Sequence, residues 1–213
     1  GQDGIAALQI AEGAMNEVST ILQRMRELSV QSANDTLTST ERSYTQQEFS
    51  DIRLEITRIV DATQYNSQTL LDGAGFGGTS SNVVHIGPND STTEDQIAVT
   101  IDKMAIASLG INASTVATRT DAVAAITSID AAIGSVNNAR SDVGAYVNRL
   151  EHAINNLINQ EYNTTAAESV IRDTDFATET ANFTKYSILN QSATAMLAQA
   201  NLVPQSVLGL LGR

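Results

Sequence analysis

The sequence contains no cysteine, and this absence excludes several kinds of chemistry at once. Without cysteine there is no disulfide bond, no thiolate nucleophile and no zinc site built on sulfur. The chain has two histidines, His85 and His152, which lie far apart and lack a metal-binding motif such as H-E-x-x-H. The sequence therefore predicts no metal, no cofactor and no enzyme.

Basic residues are also scarce, because 12 Lys and Arg stand against 24 Asp and Glu, giving a formal net charge of -12. A protein that binds nucleic acid needs a basic surface that displaces counterions from phosphate. An acidic protein is also repelled by anionic membranes, and no apolar run approaches the roughly 20 residues that span a bilayer. We expect neither nucleic acid nor membrane among the partners.

Large side chains are few, since aromatic residues make up 4% of the chain and tryptophan is absent. Long helices that pack through narrow seams need fewer large residues than a compact globular core. The chain has two prolines, so few helices need be interrupted. The composition predicts a mainly α fold: an elongated rod of long antiparallel helices, packed like a coiled-coil bundle.

Two helices are predicted in the first third of the chain. The first covers residues 5–33, and its apolar residues recur every seven positions: Leu8, Met15 and Leu22, with Ala11, Val18 and Met25 between them and Ala14, Ile21 and Leu28 widening the stripe. Thr38 followed by Glu41 is a capping box that starts the second helix. That helix carries Phe49, Ile52, Ile56, Ile59 and Thr63, and the short connection predicts an antiparallel hairpin.

The pattern changes between residues 65 and 119. GAGFGGTSS is typical of a flexible loop, whereas VVHI and QIAVTI are β-branched runs separated by turn residues. We predict a small β-hairpin or sheet between the second and third helices.

Two further helices are predicted, over residues 122–162 and from about residue 166 to the end. The third has two heptad positions, interrupted by Arg140: Ile126, Ile133, Val147 and Ile154 in one, and Ile129, Val136, Val143, Leu150 and Leu157 in the other. Asp173, Asp175 and Glu179 lack the spacing of a calcium loop and predict an acidic start to the fourth helix.

The fourth helix repeats apolar residues every seven positions, and nothing earlier in the chain is left to cover them. The stripe consists of Leu189, Met196, Val203 and Leu210, with Ala193, Ala200 and Val207 between them. An uncovered apolar stripe indicates a partner, either another chain or an additional segment. The sequence therefore predicts that this helix packs against a partner when the protein assembles.

Three stretches of this chain resemble bacterial flagellin, the subunit of the flagellar filament. They are IAEGAMNEVSTILQRMRELSVQSAND, VGAYVNRLEHAINNL and RDTDFATETANFTKYSILNQSATAMLAQANLVPQSVLGLL. The resemblance implies a secreted protein of the extracellular filament that forms a homopolymer with other flagellin subunits. It also implies an outer-tube domain at residues 1–164 and the C-terminal half of an inner-tube domain at residues 165–213. In the family an N-terminal segment precedes the position of Gly1 and pairs with the C-terminal helix, so we expect this sequence to be a fragment.

The same resemblance implies a contact with the host Toll-like receptor 5. Receptor-detected flagellins present a motif like LQRMREL on the first long helix and a Glu on the second. Here the motif is residues 22–28, and the matched positions give Gln23, Arg24, Leu28 and Glu48 as receptor-binding residues. Spacing alone favours another interpretation, in which Leu28 belongs to the core stripe and Arg24 is a solvated charge.

The resemblance further implies that the flagellin export chaperone binds the C-terminal helix, over residues 184–211. Leu189, Met196, Val203, Val207 and Leu210 would then serve both chaperone binding and inner-tube packing. Two alternatives remain open: a hook–filament junction protein, or a binding module that acts mainly as receptor agonist or chaperone cargo.

Overall fold

The structure is a computed structural model that describes residues 1–73 and 83–212, apart from the side chains of residues 203 and 205–211. In these parts of the chain the fold is mainly α, as predicted. The elements are α1 (Gln2–Ser32), α2 (Ser39–Ala62), β1 (Gln64–Tyr65), β2 (Gln68–Thr69), β3 (Val83–His85), β4 (Gln96–Ala98), α3 (Arg119–Arg172) and α4 (Phe176–Leu211). The predicted loop GAGFGGTSS, residues 73–81, lies outside the described residues except for Gly73.

The chain divides into two compact units, Gly1–Asn159 and Gln160–Arg213, which we call unit 1 and unit 2. Helix α3 runs through the division. The assignment of residues 1–164 to an outer tube and 165–213 to an inner tube remains a prediction. None of the described helices is long and apolar enough to cross a membrane.

Helices α1 and α2 form the predicted antiparallel hairpin. The capping box is present: Glu41 N–H donates to Thr38 Oγ1 at 3.3 Å, and Thr38 N–H donates to Glu41 Oε2 at 2.7 Å. Arg42 closes the connection between the helices by donating to the carbonyls of Ser32 at 2.9 Å and Asn34 at 2.7 Å. These contacts satisfy backbone groups that would otherwise be left unpaired at the helix ends.

The apolar stripe predicted for α1 is confirmed as the centre of the unit 1 core. Leu8, Met15 and Leu22 are fully buried, and so are Ala11, Val18 and Met25. Phe49 and Ile56 of α2 are buried against the same core, and Ile52 and Ile59 pack at its edge. One broad apolar stripe thus allows α1 to contact its neighbours on two sides.

Helix α3 runs antiparallel to α1 within unit 1, because Gly4 lies near Leu150 whereas Arg26 pairs with Asp130. One predicted heptad position is confirmed over four of its five residues, since Ile129, Val136, Val143 and Leu150 are buried. The fifth, Leu157, is half-buried. The other predicted position, which contains Ile126 and Ile133, is only half-buried. Alanines fill the second buried row instead: Ala125, Ala132 and Ala139. Ile126 and Ile133 therefore lie at the edge of the core, and the small alanine side chains lie within it.

The strand region contains two antiparallel hairpins. β3 pairs with β4, with Val84 opposite Ile97, which confirms the predicted hairpin. β1 pairs with β2 through a two-residue turn that the sequence analysis missed. Asn66 and Ser67 in that turn have φ values of 51° and 62°, as in the type I′ turns that suit hairpins. Strands of two residues are too short for an alternating pattern to appear in the sequence.

The boundary between the last two helices differs from the prediction. Helix α3 continues to Arg172 rather than ending at residue 162, and α4 begins at Phe176 rather than near residue 166. No Gly or Pro lies between residues 159 and 172 to stop the helix. The break comes at residues 173–175, because there the Asp175 side chain accepts the first backbone N–H groups of the new helix.

Candidate functional site

The segment LQRMREL, residues 22–28, divides its side chains between the core and the surface of α1. Leu22, Met25 and Leu28 point into the core, at the spacing of three that an apolar helix face requires. The four residues between them are exposed. This segment therefore presents a polar strip on a helix that is held firmly by its own apolar residues.

Arg24 and Glu48 are brought together on this strip, one from each helix of the hairpin. Glu48 Oε1 accepts from Arg24 Nη2 at 2.7 Å and from Arg24 Nε at 3.0 Å, while Arg24 Nη1 donates to Glu27 Oε2 at 3.1 Å. The hydrogen bond to Glu48, followed by that to Glu27, raises the pKa of Arg24 above its ordinary value. Both partners remain half exposed, with 50% of the Arg24 side chain and 45% of the Glu48 side chain accessible.

The other two residues predicted for the receptor contact differ in their environments. Gln23 is exposed beside Arg24. Leu28 is 1% exposed and belongs to the core cluster, which agrees with the interpretation based on spacing. A side chain buried in this way offers no surface to a partner. The exposed strip consists of Gln23, Arg24, Glu27 and Glu48, and we call it the Arg24 surface.

A second ion pair, which the sequence analysis did not predict, flanks α1 on its other side. Arg26 Nε donates to Asp130 Oδ1 of α3 at 2.6 Å, and this hydrogen bond raises the pKa of Arg26. Arg26 lies in the same motif as Arg24. No local signal connects it with Asp130, which is 104 positions further along the chain. Helix α1 is thus paired by charge to α2 through Arg24 and to α3 through Arg26.

Helix α4 has the opposite character, because its described apolar side chains are exposed. Leu189 and Met196, two members of the predicted packing stripe, are 53% and 70% accessible. Further exposed apolar residues extend this surface beyond one stripe: Phe176, Phe183, Tyr186, Ile188, Leu197 and Leu202. Three residues predicted for the stripe, Val203, Val207 and Leu210, have side chains outside the described set. We call Leu189, Met196 and the six further exposed apolar residues the α4 surface.

The acidic residues before α4 act as a helix start, as predicted. Asp175 Oδ1 accepts the N–H of Ala177 at 2.9 Å and that of Thr178 at 3.3 Å, and Oδ2 accepts the Thr178 hydroxyl at 2.8 Å. The bonds from Thr178, then that from Ala177, lower the pKa of Asp175. Among the described residues, no group of three or more acidic or histidine side chains is arranged to hold a metal ion. His85 on β3 and His152 on α3 are both exposed.

Long amphipathic helices, two small hairpins and a broadly apolar α4 define a helical structural protein. Models of the bacterial flagellin N-terminal helical region and C-terminal helical region match residues 1–75 and 126–211. The chain belongs to the bacterial flagellin family.

Relatives and solved structures support this membership. The chain is 45% identical over 210 residues to the flagellin of Halalkalibacterium halodurans, covering 99% of this chain and 75% of the relative. It is 40% identical over 240 residues to the flagellin of Bacillus subtilis, covering 99% of this chain and 77% of the relative. A crystal structure of Bacillus cereus flagellin has a TM-score of 0.64 at 28% identity, covering 78% of this chain and 92% of that one.

The chain is therefore a structural subunit of the flagellar filament and not an enzyme. Flagellins assemble with one another into the filament, which is extracellular. A structure of a putative flagellar hook-associated protein from Vibrio parahaemolyticus is also similar, with a TM-score of 0.60, but its 17% identity carries a likeness of fold alone. The relatives at 40–45% identity favour flagellin over a hook–filament junction protein.

Proposed function

We propose that this flagellin enters the filament by burying the α4 surface against apolar helices of the inner tube. The observation that carries this proposal is the exposure of Phe183, Leu189 and Met196 on one helix. Full burial of one such side chain stabilises a contact by about 1.5–3 kcal/mol. Several of them together offset much of the cost of association.

The proposal predicts that a charge within the stripe blocks assembly, whereas the same charge beside it does not. Leu189→Asp places a carboxylate in the proposed contact, and Gln191→Asp places one two residues further along α4. We expect Leu189→Asp to abolish addition to sheared filament seeds, measured by sedimentation, and Gln191→Asp to preserve it. Equal incorporation of the two variants would contradict packing through Leu189.

The α4 surface is also the proposed binding site of the export chaperone, which would cover it before assembly. The predicted contact, residues 184–211, contains Leu189, Met196 and Leu202, all exposed, and the predicted residues Val203, Val207 and Leu210. We expect deletion of residues 184–211 to remove binding in a calorimetric titration with the chaperone. Unchanged affinity would exclude this contact.

A second function, recognition by the host Toll-like receptor 5, is favoured by the Arg24 surface. Arg24 presents a planar group with several donors, and the carboxylate of Glu48 holds it in place. Gln23 adds an exposed amide beside it. We assign Leu28 a supporting role: its buried side chain holds α1 in the position from which Gln23 and Arg24 face outwards.

The test is a Toll-like receptor 5 reporter assay on purified protein with two matched arginine variants. Arg24→Ala and Arg26→Ala each remove a half-exposed arginine and break one ion pair between helices. We expect strong loss of signalling for Arg24→Ala and Glu48→Ala, and little change for Arg26→Ala. Equal signalling by Arg24→Ala and Arg26→Ala, with helix content unchanged by circular dichroism, would contradict receptor contact at the Arg24 surface.

A further inference from the structure

The four methionines of this chain have two kinds of environment. Met15 and Met25 of α1 are 0% exposed and Met104 is 1% exposed, so all three thioethers lie in the unit 1 core. Met196 of α4 is 70% exposed. Since the chain contains four methionines in total, Met196 differs from all the others.

The neighbours of Met196 on α4 leave its sulfur open to a reagent in solution. On a helix, the residues three and four positions away flank a side chain. For Met196 these are Ser192, Ala193, Gln199 and Ala200, and three of the four have short side chains. They rise too little above the helix backbone to cover a thioether at the end of a long, flexible side chain.

We propose that Met196 is an oxidation site of the free subunit, and that its sulfoxide blocks addition of the subunit to the filament. The oxidant is a peroxide. A lone pair of the sulfur attacks one oxygen of hydrogen peroxide, and the S–O bond forms as the O–O bond breaks. The hydroxide that leaves removes the proton from the oxygen now bound to sulfur and becomes water. The thioether is oxidised to the sulfoxide by two electrons, and the peroxide is reduced.

The consequence for assembly rests on the proposed packing of the α4 surface. A sulfoxide oxygen is a strong hydrogen-bond acceptor, and burying it in an apolar contact leaves it without a donor. Addition of the oxidised subunit to the end of the filament is therefore unfavourable. Once packed, the unmodified thioether is covered and protected. Oxidation would act on free subunits and spare assembled ones, and methionine sulfoxide reductase would reverse it.

Peptide mapping by mass spectrometry tests the site itself. The folded chain is treated with hydrogen peroxide, and sulfoxide is measured at each methionine over time. We expect Met196 to be oxidised about tenfold faster than Met15, Met25 and Met104, because reaction at buried thioethers waits for opening of the core. The difference should vanish in denaturant. Equal rates in the folded chain would overturn the assignment.

Addition to sheared filament seeds of the same flagellin, measured by sedimentation, tests the consequence. We expect peroxide treatment to lower incorporation of the unsubstituted chain about tenfold, and reductase to restore it. Met196→Leu keeps the size and apolar character of the side chain without the sulfur. Peroxide treatment should not change the incorporation of this variant, measured relative to its own untreated sample.

The outcomes separate failure of this inference from failure of the proposed packing. Full incorporation of subunits that carry Met196 sulfoxide would overturn the assembly block while leaving packing through α4 in place. Untreated subunits that do not incorporate would contradict the packing proposal, and the assembly block with it. Peptide mapping would still decide whether Met196 is the oxidation site.

Discussion

Units 1 and 2 place the same kinds of apolar residue in opposite environments. Phe49 in unit 1 is fully buried, whereas Phe183 in unit 2 is 74% exposed. In unit 1 three helices and the strand region share one core, so burial is satisfied within the unit. In unit 2 the described apolar side chains of α4 face outwards. The comparison shows that a heptad pattern predicts that a face is apolar without predicting which chain covers it.

The largest expected change in unfolding free energy comes from replacing a phenylalanine of unit 1, and the same replacement in unit 2 provides the comparison. Phe49→Ala leaves a cavity in the unit 1 core and should lower the free energy of unfolding by about 3–5 kcal/mol. Phe183→Ala removes a ring that is exposed, so the change should stay below about 0.5 kcal/mol. Urea unfolding of the monomer, followed by circular dichroism, measures both variants. Similar losses for the two would contradict the burial described for unit 1.

Close packing in unit 1 extends to the backbone at Gly87, at the end of the β3–β4 hairpin. A Cβ at this position would lie 1.5 Å from Asp95 Oδ1 and 2.3 Å from Asp95 Cγ, and Asp95 is itself buried. Gly87→Ala should therefore lower the free energy of unfolding by about 1–3 kcal/mol.

The matched control for Gly87 is Gly134, in the middle of α3. A Cβ at Gly134 meets no atom within 4 Å. Gly134→Ala should raise the free energy of unfolding by about 0.5–1 kcal/mol, because alanine loses less backbone entropy in a helix. Thermal unfolding measures both substitutions, and a stabilising Gly87→Ala would show that Asp95 moves aside freely.

The capping box of α2 should have a smaller effect. Thr38→Ala removes the side-chain acceptor for the N–H of Glu41 and should cost about 1 kcal/mol in unit 1 unfolding. Thr36 lies in the same connection, is exposed and provides the control for a surface threonine. If Thr36→Ala and Thr38→Ala were equally destabilising in urea, the cap would not be responsible.

The smallest expected effect concerns pH and is confined to α4. The lowered pKa of Asp175 means that its charged form is the form stabilised in the folded helix. This contribution is present above the unfolded aspartate pKa of about 4. It is lost as pH falls through the folded pKa, which lies lower. Helix content should decrease slightly in this acid range.

Asparagine at position 175 provides the control for this pH dependence. It is also a good helix cap and does not titrate. Circular dichroism between neutral pH and strong acid should show a smaller acid-induced loss in Asp175→Asn than in the unsubstituted chain. Identical pH profiles would show that the Asp175 charge does not stabilise the start of α4.

Much of the fold was predictable because its signals are local. The stripe of Leu8, Met15 and Leu22, the capping box at Thr38 and the paired β-branched runs each depend on residues close in sequence. Helix periodicity and capping follow from the geometry of a single element. The family resemblance rested on stretches of this same kind, and the comparisons confirmed it.

The tertiary structure decided what depends on neighbours that are distant in sequence. It placed Leu28 in the core rather than on the Arg24 surface, paired Arg26 with Asp130, and buried a row of alanines of α3. The sequence alone determined which faces are apolar, because amphipathicity is a property of one helix. How closely two helices approach, and which side chains that approach covers, depends on the packing of both together.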